Sequence, residues 1–163
     1  MSDSKLKNVE ATRAVDYKEL KIMSAAFENK GKIPQKYTCD GTNVNPPLDV
    51  GHIPVDAKCL AIIVDDPDAP AKTWVHWVCW NIPVTQHIKE NGLHGVQGIN
   101  DFGTHHYSGP CPPSGVHRYF FKVYALDSLL NLKAGASKHD LEKEMADNIL
   151  AFGELIGLYE RGK

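Results

Sequence analysis

"KCLAIIVDDPDAPAKTWVHWVCWNIP", residues 58–83, sets two apolar runs on either side of a stiff acidic bend. The first run, 58–66, is continuous and of strand length, as expected of a strand buried on both faces. The second, 74–83, alternates. Trp74, His76, Val78 and Trp80 would share one face of a strand, and Val75, Trp77, Cys79 and Asn81 the other. Both faces are largely apolar, so this too reads as a central strand. Between the runs, the fixed φ of Pro67 and Pro70 holds Asp66 and Asp68 in place. A plain surface turn with local Asx hydrogen bonds would also account for the bend. His76, between Trp74 and Trp77, sits in a strand too apolar for a solvated surface, where a histidine is more often a satisfied core group than a ligand.

Outward from this hairpin, "HRYFFKVYAL" (117–126) repeats the pattern, with His117, Tyr119, Phe121 and Val123 on one side. The three runs should neighbour one another in one antiparallel sheet, since each is apolar on both faces. "LKIMSAAF" (20–27) and "ELIGLYER" (154–161) supply further strands, and the Gly- and Pro-rich 41–54 stretch is an ordered loop. Ser137 with Asp140 three residues on is a helix start signal, and Leu141, Met145 and Ile149 follow at four-residue spacing. This predicts a helix over 137–151, closed by Gly153. Residues 1–19 are polar and mixed in charge, a loose arm before one domain spanning 20–163. Many strands, long loops and little helix make the fold mainly β, sandwich-like, with one or two peripheral helices.

Composition narrows the function classes. The chain has 163 residues, 42% hydrophobic and 23% charged, with a formal charge of -2, enough for a core without metals or disulfides. No basic footprint for nucleic acid is visible, and no apolar run is long enough for a membrane span. The first twenty residues lack the apolar segment of a secretory signal, which makes the cytoplasm the expected compartment, with reduced thiols. Cys39, Cys59, Cys79 and Cys111 form no C-x-x-C pair, so neither zinc nor another cofactor is expected. Cys59 and Cys79 read as core residues, and Cys111 as the accessible, reactive thiol.

"HHYSGPCPPSGVHRY" (105–119) is the other stretch with chemistry in it. Its glycines and prolines build a loop that delivers His117, Arg118 and Tyr119 to the head of a buried strand. Glycine there permits close approach of a ligand and leaves backbone N–H groups to cradle an anion. A guanidinium at that position needs a carboxylate, and the Asp66/Asp68 bend is its natural supplier; the pair should be largely shielded from water.

Together, "DPDAP", "WVHW" and "NDFGTHHYSGPCPPSGVHRY" resemble the phosphatidylethanolamine-binding protein family, also called the Raf kinase inhibitor protein family, in its bacterial and archaeal branch. The resemblance runs over roughly residues 20–161. It implies two antiparallel β-sheets and a small pocket for anions and phosphorylated head groups. Carried over by motif, the pocket comprises Asp66, Asp68, Trp74, His76, Gly109, Pro112, Pro113, His117 and Tyr119, with Arg118 bracing the aspartate bend from behind. The implied ligand is phosphate or a phosphoethanolamine-like group, and the implied partner a kinase or protease that the protein inhibits. A homodimer is compatible with the loose arm. The rival reading is a hydrolase, metal-free or metal-assisted, using the same histidines and aspartates as acid and base. No G-x-S-x-G elbow surrounds Ser108 or Ser114, so an acyl-transfer nucleophile has no visible support.

Overall fold

All eight residues of the strand Cys59–Asp66 are buried, because the sheet that holds it is covered on both faces. The computed structural model describes residues 17–162. In chain order its strands are β1 (Lys18–Glu19), β2 (Lys21–Met23), β3 (Gly31–Lys32), β4 (Leu48–Gly51), β5 (Cys59–Asp66), β6 (Trp74–Ile82), β7 (His87–Ile88), β8 (Val96–Gln97), β9 (His117–Leu126) and β10 (Ile149–Tyr159). One helix, α1 (Lys138–Met145), lies between β9 and β10. The larger sheet runs β1-β10-β9-β5-β6-β8, with β3 also on β10, and the smaller runs β2-β4-β7. As expected, β9, β5 and β6 are antiparallel neighbours. The short strands β1 and β3 lie parallel to β10. Lys18–Glu19, at the end of the stretch read as an arm, is thus paired into the sheet; residues 1–16 lie outside the described residues.

Two apolar layers explain the double-sided burial. Leu60, Ile62, Val64, Trp77, Tyr119 and Phe121 pack inward against Ile22, Leu48, Val50 and Ile88 of the smaller sheet. On the outer face Ala61, Ile63, Val78, Trp80 and Leu126 meet Leu141 and Met145 of α1. The helix is fixed by the signal that predicted it: Ser137 accepts from the Asp140 N–H, and Asp140 reaches back to the Ser137 N–H. It ends earlier than expected, at Met145. Ile149 is instead the first residue of β10, paired with Leu126, since cross-strand pairing outweighs the weak preference of periodicity. Gly153 is no helix stop either. It lies within β10, where a Cβ would collide with the backbone carbonyl of Leu20.

The 20–27 run is strand only over Lys21–Met23; Ser24 leaves the ladder, its hydroxyl donating to the Pro47 carbonyl and accepting from the Ala26 N–H. The reading of four reduced thiols is also corrected. Cys39 and Cys111, 72 residues apart, form a disulfide. Cys59 and Cys79 are free and buried, as expected.

Candidate functional site

A β-bulge turns His76 toward the site. In the register of β5 with β6, Val64 faces Trp77, Asp65 faces Val75 and Asp66 faces Trp74. His76 is therefore the extra residue on β6. Strict alternation would send it outward with Val78 and Trp80, but two bulge residues opposite one partner share a side. His76 accordingly joins Trp77 on the inner face, where its ring lies 5.3 Å from that of Tyr119 and 5.2 Å from that of Phe102.

His76 Nδ1 lies 2.6 Å from the Ser108 carbonyl, which can only accept, so Nδ1 carries the proton. Burial pushes the pKa of His76 down, against the pull of the Ser108 carbonyl and Asp66. The ring is therefore neutral at pH 7. The Ser108 N–H donates back to the His76 carbonyl, and Asn100 supports the same turn: its side-chain amide donates to the carbonyls of His76 and His106 and to the Thr104 hydroxyl. In return its oxygen accepts from the N–H groups of Phe102 and Thr104. The Asx-type turn so made sets Phe102 edge-on to Trp74, with centroids 5.7 Å apart.

On the neighbouring strands Asp66 and His117 make a buried pair, Nδ1 to Oδ2 at 2.6 Å. The other oxygen of Asp66 accepts the Asp68 N–H at 2.7 Å, the local hydrogen bond expected of a D-P-D bend. Asp68 is the partner of Arg118: Nε and Nη2 donate to its two oxygens at 2.9 and 2.8 Å, and the Arg118 N–H adds a third bond. These bonds hold the Asp68 carboxyl down at about 2. The arginine is not shielded, however. Its side chain is 53% exposed, because on β9 it alternates with the inward His117 and Tyr119. The brace thus lies at the surface rather than behind the bend. Asp66 fixes His117, whereas a backbone carbonyl fixes His76.

Tyr119 lies between the two histidines, stacked on His117 at 6.4 Å. Its hydroxyl is buried and makes no hydrogen bond of good geometry, although the Asp66 carboxylate and the Cys111 N–H lie close enough to act on it. Burial first, and the nearby Asp66 carboxylate second, hold this phenol far above its ordinary range. It is a neutral group, unsatisfied among the described residues, beside Asp66.

The loop 109–113 closes one side. A Cβ on Gly109 would strike the Tyr37 carbonyl, so only glycine lets the two backbones approach. The Gly109 N–H donates to Asn43 Oδ1 at 2.8 Å and so is engaged rather than left for an anion. Pro112 is buried and Pro113 exposed, and Cys111 ties the loop to Cys39. The Tyr107 hydroxyl and the Cys39 N–H make two further ties between the loop and residues 37–39. Sequence reading overlooked Asn43, Asn100 and Phe102, and weighed Ser108 only as a nucleophile. Only Asn100, in "NDFG", carried a local signal, that of an Asx turn.

Two grooves, of about 840 and 680 Å³, lie elsewhere; Leu20, Met23, Phe27 and Phe152 line the first, and Gln35, Asp40, Tyr159 and Arg161 the second. Neither includes a candidate side chain, and the buried pair with its unsatisfied hydroxyl weighs more than volume. No group of three or more metal-ligating side chains occurs among the described residues.

The sequence profile for phosphatidylethanolamine-binding protein matches residues 23–160. The chain belongs to the phosphatidylethanolamine-binding protein family. Among curated members, a UPF0098 protein of Methanothermobacter thermautotrophicus is 50% identical over 151 residues, covering 88% of this chain and 100% of its own. A UPF0098 protein of Pyrococcus abyssi is 52% identical over 154 residues, covering 88% of this chain and 86% of its own. Of solved structures, a phosphatidylethanolamine-binding protein homologue from Chlamydia trachomatis superposes with a TM-score of 0.85 at 38% identity, over 88% of this chain and 99% of that one. E. coli YbcL, described as a new member of the mammalian PEBP family, gives 0.81 at 29%, with the same coverage. The family's two-sheet architecture is the one found here. No helix among the described residues is long and apolar enough to cross a membrane.

Proposed function

We propose that this protein is a binding protein for small phosphoryl-bearing ligands, taken up between His76, His117, Tyr119 and the Asp66–Asp68 bend. The observation that carries the reading is the Tyr119 hydroxyl. A buried polar group without a partner costs about 1–3 kcal/mol, and here it lies beside three other polar side chains, where a ligand oxygen would satisfy it. Trp74 and Phe102 wall the approach. The test is calorimetry with inorganic phosphate on the wild type and on Tyr119→Phe. Binding by the wild type that is lost in a folded Tyr119→Phe supports the site; unchanged affinity moves the ligand elsewhere.

A second reading rests on the His117–Asp66 pair. An imidazole whose Nδ1–H is held by a carboxylate presents the lone pair of Nε2, the arrangement of a general base. Hydrolysis of phosphate or carboxylate esters that disappears in His117→Ala would favour this reading over binding alone.

A further inference from the structure

The hydrogen bonds already made at this site favour one kind of anion over another. His76 spends its Nδ1 proton on Ser108, which leaves the lone pair of the neutral ring at Nε2. The N–H groups of Gly109 and Asp68 are taken by Asn43 and Asp66, and that of Cys111 acts on the Tyr119 oxygen. Both oxygens of Asp66 and Oδ1 of Asp68 are acceptors with a lone pair to spare, whereas Asp68 Oδ2 already takes the Nε and the backbone N–H of Arg118. Among buried side-chain polar atoms of the described residues, the one with no partner is the Tyr119 hydroxyl.

Charge points the same way. Asp66 and Asp68 are offset by Arg118 and at most by His117, so with His76 neutral the sum is not positive. The remaining charges near His76 do not change this. Lys72 is paired with Asp101 beside Trp74, and Asp65, on the outer face of β5, is held by Lys122 and Lys138. A bare dianion would meet carboxylates and lone pairs. An oxyanion with an O–H can donate to one of them and accept from Tyr119.

We propose that the site selects oxyanions that carry their own proton, of the phosphomonoester class, over aprotic oxyanions such as sulfate or the phosphodiester of a lipid head group. This rests on the phosphoryl-binding reading above. Its general ground is that a site built to hydrogen-bond a ligand O–H rejects the analogue lacking it far more strongly than a pocket judges size. Burial of His76, which lowers its pKa, supports the acceptor role of that ring.

Calorimetry on the wild type with methyl phosphate, dimethyl phosphate and sulfate tests it. At pH 5 methyl phosphate and dimethyl phosphate carry the same charge, but only the first has a P–OH. Methyl phosphate should bind at least about tenfold more tightly than the other two at that pH. A phosphomonoester loses its proton near pH 6, so its affinity should fall about thirtyfold by pH 7.5. Sulfate, whose charge is constant, reads out the protein's own titration and is used to correct that slope. In Asp66→Asn the gap between methyl phosphate and sulfate should narrow; if that variant fails to fold, the wild-type comparison decides alone. Dimethyl phosphate or sulfate within about threefold of methyl phosphate at pH 5, or a flat corrected slope, overturns the selectivity while leaving phosphoryl binding standing. No binding of any of the three overturns both.

Discussion

Tyr119 is where binding and stability separate. Removing its unsatisfied hydroxyl relieves a desolvation cost, so Tyr119→Phe should weaken phosphate binding while raising stability by about 1 kcal/mol. Thermal unfolding without ligand reads this directly, and a fall in Tm would mean that the hydroxyl already has a partner. Arg118 shows the reverse of what its sequence position suggests. A guanidinium at the head of a strand looked buried, and loss of one partner of a buried pair costs about 3–5 kcal/mol. With 53% of the side chain exposed, Arg118→Met should cost only about 0–1 kcal/mol. The small contribution of Asp68 has a definite pH window. Its carboxyl lies at about 2 in the folded protein against an ordinary 3.8. The stabilisation is present above 3.8 and fades as pH falls from there toward 2. Urea midpoints of wild type and Asp68→Asn should therefore converge over that interval. The aspartates, histidines and Tyr119 were legible because their motifs are local. The exposure of Arg118 was not, since it depends on which face of β9 the core claims.

At the scale of single elements, the helix and the bulge make a useful contrast. The start of α1 was legible because its signal is chemical: Ser137 and Asp140 satisfy each other's backbone N–H groups. Ser137→Ala should cost about 0.5–2 kcal/mol, read by thermal melts, with phosphate affinity unchanged because α1 covers the outer face of the sheet. Its end was not legible, because Ile149 fits a helical stripe and a strand equally well and Leu126 decides the matter. The bulge at His76 left no mark in the sequence at all. Alternation placed His76 with Val78 and Trp80, and only the pairing of Val64 with Trp77 and of Asp65 with Val75 reveals the extra residue. The candidate site therefore depends on a register that composition does not encode.

For the molecule as a whole, the disulfide is the largest departure from what the cysteine spacing suggested. Cys39 and Cys111 are 72 residues apart, too far for local pattern to pair them, and only the approach of the 35–41 turn to the Gly109 loop brings them together. In the chain-entropy account, closing a loop of that length stabilises by about 4 kcal/mol. Reductant, or Cys39→Ser with Cys111→Ser, should lower Tm by several degrees. Three hydrogen bonds hold the same loop independently, so phosphate affinity should change little. Without reductant the native protein should expose no reactive thiol, since burial pushes the Cys59 and Cys79 thiols up, and the unfolded protein should expose two. Four titratable thiols in the unfolded chain would show the bond absent.

The parallel strands β1 and β3 have a consequence for how this protein is made. Each completes its ladder only against β10, and the Asn29 side chain that accepts the Ile156 N–H waits for a residue 127 positions later. A ribosome delivers the N-terminal strands long before their partner exists. Until β10 arrives, β9 presents an unpaired apolar edge of the kind that recruits strands from other molecules. Synthesis of this protein thus carries a window of vulnerability that closes only when its last strand emerges, and nascent chains stalled before β10 should be the species that chaperones hold.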